Sequence, residues 1–180
     1  MEIAQIATIA SKEFWDRIRN RWVLAVALVF TAFALTIAYF GAAQQGSIGL
    51  RSIDVTIASL VSLVIYLIPL IALILGFDAI VGERERGSLD LLLSMPITRL
   101  ELILGKFFGL AAALTFSTVA GFGLVAIMLS TQIDLNGLIH YFGFMLSSVL
   151  LGCAFLSLAV MLSVFATDRT RASGLAIAMW

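Results

Sequence analysis

Charged side chains are scarce in this chain of 180 residues. Asp, Glu, Lys and Arg make up 12% of it and hydrophobic residues 62%, with a mean hydropathy of +1.10. A soluble domain carries about 25% charged and about 45–50% apolar residues, so the deficit excludes a soluble globular class and leaves a polytopic membrane protein. Cysteine is reduced to Cys153, which excludes an intrachain disulfide framework. A single His140, with Met95, Met128, Met145 and Met161 sharing no helical face, excludes a metal-ligand cluster or a copper path. No basic patch suits nucleic acid. The net charge is zero, which says little, because in a membrane protein the placement of charge matters more than its sum.

Charge is also missing from the middle of every long apolar run. Asp54 and Asp78 sit only at the two ends of one run. Proton- or ion-coupled carriers and voltage sensors need intramembrane charge, so energy for any transport must come from outside the bilayer. There is no ATP-binding loop either. Gly82 and Gly87 have the glycine spacing of one, but Ser88-Leu89 stands where Lys-Ser/Thr is required. No Ser/His/Asp set or metal motif lies in the runs, which argues against an intramembrane hydrolase.

What is present is periodic. Residues 1–21 place Ile3, Ile6, Ala10, Phe14 and Ile18 on one helical face, with Glu2, Lys12, Asp16, Arg19 and Arg21 largely off it. This predicts an interfacial helix lying in the plane of the membrane surface; the blander reading is a polar tail. A signal peptide fits poorly, since the charged stretch is long and Val23–Phe40 exceeds an h-region. Residues 22–180 form the transmembrane domain, with spans at about 23–40, 55–77, 102–129 and 141–166. Residues 172–180 read as the cut-off start of a fifth span, so the 180 residues are expected to be a fragment. Val23–Phe40 rises about 27 Å, just enough for a hydrocarbon core of about 30 Å with Trp22 and Tyr39 as anchors. Pro69 removes a backbone donor within the second span and predicts a kink. Residues 41–52 and 130–137 are turns, the latter with Asn136 as N-cap, and TDRTR at 167–171 is a tight charged loop, either an anchor or a small contact for a partner. Ten of the eleven Lys and Arg residues fall on one side of this topology and only Arg51 on the other, which places the N-terminus in the cytoplasm.

The interruption GERERGSLDLLLSMPITRLELILGK, residues 82–106, holds eight of the 22 charged side chains. Ser88 is a candidate helix cap, Asp90 sits in the first turn where the helix dipole favours an acid, and Leu89, Leu92 and Leu93 form one apolar face. Pro96 ends this helix, at about 88–95, and Thr98-Arg99-Leu100-Glu101 is a capping box that starts the third span. Such a helix either snorkels at the interface or docks on a partner, and a separate ATPase is the partner an energised device would need. Ser59, Ser62 and Tyr66 share a face of the second span and are candidates for lining a conduit, although hydroxyls in spans commonly bond backbone or neighbouring helices. Gly105 and Gly109 form a GxxxG that marks close helix packing, read as lying within the subunit. Cys153 reads as a small hydrophobe, and His140 lies at the outer interface.

The same interruption resembles the signature of ABC-2 type permeases: Glu83-x-Glu85-x-Gly87-Ser88-Leu89, a Leu-Leu pair, Pro96, Thr98-Arg99, then Gly105-Lys106 at the third span, preceded by RNRW at 19–22. Within the family, the stretches at 40–43, 56–63, 67–75 and 78–83 are similar to the branch that serves maturation of nitrous oxide reductase. The resemblance implies an all-α, type V exporter-like permease fold of six spans, here present through the fourth, with residues 1–21 as an elbow helix. It implies pairing with a second permease copy and a coupling helix near Ser88–Met95, flanked by Glu83, Arg84, Glu85 and Arg86 and closed by Pro96. The chain would be no enzyme: ATP and Mg would be bound by a NosF-like cytoplasmic ATPase. A NosD-like periplasmic protein is the other implied partner, and a sulfur species for copper-site assembly the implied cargo. Export, or mechanical action on the periplasmic partner without transport, both remain open at this level.

Overall fold

In a computed structural model, the structure describes residues 2–40, 53–129 and 135–180. The predicted turn at 41–52, with Arg51, and most of the turn at 130–137 lie outside them. The described backbone is helical: α1 (Ile3–Ile18), α2 (Arg21–Phe40), α3 (Ile53–Gly76), α4 (Val81–Glu85), α5 (Ser88–Leu93), α6 (Arg99–Leu129), α7 (Leu135–Phe165) and α8 (Arg169–Met179). Helices are what an apolar chain must form in lipid, because only they satisfy every backbone donor and acceptor within one segment. Among the described residues three segments are long and apolar enough to cross a membrane: Thr56–Glu85, Arg99–Ile127 and Asn136–Phe165. The first predicted span coincides with α2, whose 20 residues rise about 30 Å.

Element boundaries move in ways that the chemistry explains. α6 and α7 each hold 31 residues, about 46 Å, well beyond a hydrocarbon core of about 30 Å, so their ends project. α7 begins at Leu135, and Asn136 is therefore inside the helix and not its cap. α8 begins at Arg169 inside the stretch read as a loop, because Asp168 caps it by accepting the Arg171 N–H at 2.7 Å. α3 remains one helix through the buried Pro69, and the chain turns only after Gly76.

The spans alternate in direction around two larger apolar clusters, with smaller ones beside them. One joins Ala34 of α2, Leu60, Val64 and Ile68 of α3, Phe122 and Val125 of α6 and Tyr141 of α7. The buried Tyr141 hydroxyl donates to the Phe122 carbonyl at 2.8 Å. The other cluster joins Ala72, Leu75 and Ala79 of α3 to Leu110 and Leu114 of α6 and Leu156 and Val160 of α7. α8 runs back along α3 from Arg169, beside Asp78, to Trp180, whose indole donates to the Tyr66 carbonyl at 2.9 Å. The end of α3, both short helices, the start of α6, the end of α7 and the start of α8 therefore share one end of the bundle.

α1 lies along the first turns of α6. A Cβ on Gly105 would come within 2.6 Å of Ile9 Cβ, and one on Gly109 within 2.6 Å of the Ala10 carbonyl. The GxxxG thus packs within the subunit, against the N-terminal helix. The packed face of α1 keeps most of the predicted stripe: Ile6, Ala10, Phe14 and Ile18 are half-buried and are joined by Ile9 and Glu13, while Ile3 is 82% exposed. Gly109→Ala is expected to cost about 1–3 kcal/mol by overpacking this contact. Gly123→Ala, with open space around its Cβ, should be neutral or gain up to about 1 kcal/mol from helix propensity. Thermal unfolding of detergent-purified protein measures both, and equal effects would contradict the close α1–α6 contact.

Candidate functional site

The charged interruption is built as a joint. Just after α3 ends, the buried Ser163 hydroxyl of α7 accepts from the N–H groups of Ile80 and Val81 at 2.9 and 3.0 Å, satisfying donors that the turn leaves without helical partners. Val81 is fully buried against Ala166 and Ala172. Each charge of α4 then reaches a different element. Glu83 pairs with Lys106 of α6 at 2.7 Å. Arg84 donates to the Ala166 and Val164 carbonyls at 2.7 and 3.1 Å, placing a cation on the C-terminal end of α7, where helix carbonyls lack partners. Glu85 accepts the Arg169 N–H at 2.8 Å at the start of α8. Arg86 lies 3.7 Å from Asp78, whose carboxylate also holds Arg169 through both oxygens, at 2.5 and 2.6 Å. Gly82 is needed here: a Cβ would collide with the Asp78 carboxylate and stand 2.9 Å from Arg169 Nη2.

Lys106, 4% exposed, sits at the centre of a second charge group. It donates to Glu13 at 3.1 Å, and Glu13, 6% exposed, also accepts from Arg17 at 3.0 Å. Burial alone pushes the Glu13 carboxyl up, but Lys106 and Arg17 outweigh it and hold the group below its ordinary value. The carboxylate of Asp168 is likewise held down, chiefly by the Arg171 backbone N–H that it caps.

α5 follows a turn made possible by Gly87, at φ +70°. Gly87 therefore takes the cap position predicted for Ser88, which is the first helical residue and donates its hydroxyl back to the Glu83 carbonyl at 3.3 Å. The helix ends at Leu93, shorter than the predicted 88–95, and exposed Pro96 follows it. Leu89 and Leu93 turn toward the protein and line a shallow cleft of about 300 Å³ with Ile80, Leu102, Ile103 and Val164. Leu92 is half-buried, and the apolar groups that stand outward are Leu91, 70% exposed, and Met95, 57% exposed. The capping box forms in full. The Thr98 N–H and hydroxyl both donate to Glu101 at 2.8 Å, the Glu101 N–H returns to the Thr98 hydroxyl at 3.3 Å, and the Glu2 N–H adds a bond at 2.7 Å.

The structure thus brings Glu83, Arg84, Glu85, Arg86, Ser88, Leu89, Leu92, Leu93 and Pro96 together at one end of the bundle. The candidate conduit residues lie elsewhere: Ser59 is half-buried, and Ser62 and Tyr66 stand exposed on the open face of α3.

Residues 7–180 match the family model described as ABC-2 family transporter protein. The chain belongs to the ABC-2 transporter family. It is 48% identical over 177 residues to a probable ABC transporter permease protein NosY of Pseudomonas aeruginosa, covering 96% of this chain and 64% of that relative. It is 47% identical over 180 residues to a protein of the same description from Stutzerimonas stutzeri, covering 98% of this chain and 65% of that one. The chain thus spans just under two thirds of the length of these ABC-2 permeases.

In this ABC-2 chain, sequence reasoning missed Glu13, Asp78, Ser163 and Arg169 as members of the joint. Glu13 carried a signal, since Ile6, Ile9, Glu13 and Arg17 recur at helical spacing and put a carboxylate inside an apolar stripe. Ser163 carried none, being one hydroxyl among many in the spans. Ser163→Ala strands two buried N–H groups and is expected to cost about 2 kcal/mol or more, whereas Ser157→Ala, whose exposed hydroxyl returns to its own helix at Ala154, should stay within about 0.5 kcal/mol; chemical denaturation of the purified protein separates the two. The depressed Glu13 value sets a pH dependence. Its stabilisation is fully present above the ordinary value of 4.5 and drains as pH falls through the lower folded value. Glu13→Gln should flatten that part of the acid limb in a pH series of melting temperatures, and an unchanged limb would place the sensitivity elsewhere.

Proposed function

We propose that this chain forms part of the membrane subunit of an ATP-driven exporter, with α4 and α5 as the element that a separate cytoplasmic ATPase moves. The observation that carries this reading is the joint itself. α4 is linked by charge to α6, α7 and α8, while α5 presents Leu91 and Met95 outward. An exposed apolar tip on a charged, rigidly seated segment suits the groove of a protein partner. A displacement of α4 would be felt at once by three membrane helices, because paired charges and packed helices pass between discrete arrangements and do not deform smoothly.

In this reading ATP and Mg are held by the partner, a NosF-like ATPase, and this subunit does no bond chemistry. A second permease copy completes the membrane unit. The subunit is multi-pass in the inner membrane with its N-terminus cytoplasmic, so that the α4–α5 end faces the ATPase; the ten-to-one partition of Lys and Arg supports this orientation. The likeness to NosY permeases supports a cargo for copper-site assembly in nitrous oxide reductase, such as a sulfur species, with a NosD-like protein receiving it in the periplasm. The alternative is a non-transporting anchor that transmits ATP-driven motion to that periplasmic protein.

The test uses the full-length permease expressed with the ATPases encoded beside it. An ATPase should co-purify, and Leu91→Asp with Met95→Asp should cut its recovery by at least about tenfold, the loss expected when charge enters an apolar contact. Unchanged recovery would remove α5 as the contact. Cargo flux in vesicles without the periplasmic protein selects export; ATP hydrolysis stimulated by that protein without flux selects the anchor.

A further inference from the structure

The ammonium of Lys106 is shared by two carboxylates that are distant in sequence. Glu83 Oε1 lies 2.7 Å away and Glu13 Oε2 3.1 Å away, and the Lys106 side chain is 5% exposed. The two acids differ in how far they depend on it. Glu13 has a second cation, Arg17, at 3.0 Å. Among the described residues Glu83 has only Lys106: its other oxygen, Oε2, is buried with no hydrogen-bond partner there. A buried ion deprived of its partner is strongly unfavourable, so α4 cannot leave Lys106 without stranding a carboxylate. The close approach of α1 at Gly105 and Gly109 brackets the lysine and leaves Glu13 little freedom to turn away. A compact ammonium with three donors can serve both acids at once, which a single acceptor or an apolar side chain could not.

We propose that Lys106 is a positioning residue that ties the N-terminal helix α1 and the interhelical helix α4 to the first turns of α6, so that the three move as one body. A force applied to α4–α5 then reaches α1 as well as the spans. The functional consequence rests on the ATPase-coupling reading above; the mechanical tie does not.

The test has two arms. In full-length permease with Cys153→Ser, spin labels at Lys12→Cys on α1 and Arg86→Cys at the end of α4, both exposed positions, should report one narrow distance. Lys106→Met is expected to abolish that narrow distance and Lys106→Arg to restore it. A distance that stays narrow in Lys106→Met would overturn the proposal, leaving α1 held by helix packing alone. Should Lys106→Met fail to fold, Glu83→Gln keeps the Glu13–Lys106 pair and should broaden the distance by itself; no change there also overturns the tie. In the second arm, Lys106→Met should still co-purify the ATPase, because Leu91 and Met95 are untouched. The permease-dependent change in ATP turnover should fall about tenfold, the factor carried by one charge-assisted hydrogen bond. Unaltered turnover in a complex that assembles normally would overturn the transmission claim. If the wild-type permease binds no ATPase, the coupling reading fails, and the label distance still decides the tie.

Discussion

A buried ammonium between two carboxylates is the constraint around which this end of the bundle is arranged. Placing Lys106 where it is 5% exposed is unfavourable by several kcal/mol unless its charge is matched. The match comes from residues 93 positions before it and 23 before it in the chain, Glu13 and Glu83. Satisfying the lysine therefore fixes the position of α1 and α4 together. Lys106 lies in the first turns of α6, near the end of a 31-residue helix that is longer than a hydrocarbon core of about 30 Å requires. The bare surface at Gly105 and Gly109 lets α1 come close enough to exclude water from the pair.

The same logic runs through the rest of the joint. Arg84 covers the carbonyls at the end of α7, Asp168 and Glu85 accept the first donors of α8, and Ser163 accepts those of the turn after α3. Each of these groups sits where a helix end leaves backbone polar atoms without intrahelical partners. A segment that looks like a loop between two spans is thereby a set of caps for the helices around it. In the proposed coupling role, these contacts are what would carry a push on the exposed Leu91 and Met95 to the surrounding helices.

Much of this was legible in the residues. The capping box at Thr98 and Glu101 appeared in the structure as read, because its two partners are three residues apart and need nothing else to meet. The long helices were legible because lipid favours one backbone solution for a long apolar run. The face of α5 was harder. Leu89, Leu92 and Leu93 are all half-buried, but Leu89 and Leu93 line a cleft with Ile80, Leu102 and Val164, and Leu91 is left outside. Which stripe of a six-residue helix faces inward depends on the direction in which the chain leaves Gly87, and periodicity does not contain that direction.

The sequence alone determined the class of molecule, the order of its long helices and the family to which it belongs. These follow from hydropathy, from caps three residues apart and from a short charged motif, all local in the chain. Tertiary structure decided which charges meet. Glu13 with Lys106, Asp78 with Arg169, and Ser163 with the turn after α3 are separated by 93, 91 and 83 residues. No local rule brings such partners together. They meet because the spans pack side by side and carry their ends to a common level, and there each buried charge needs an opposite one within reach.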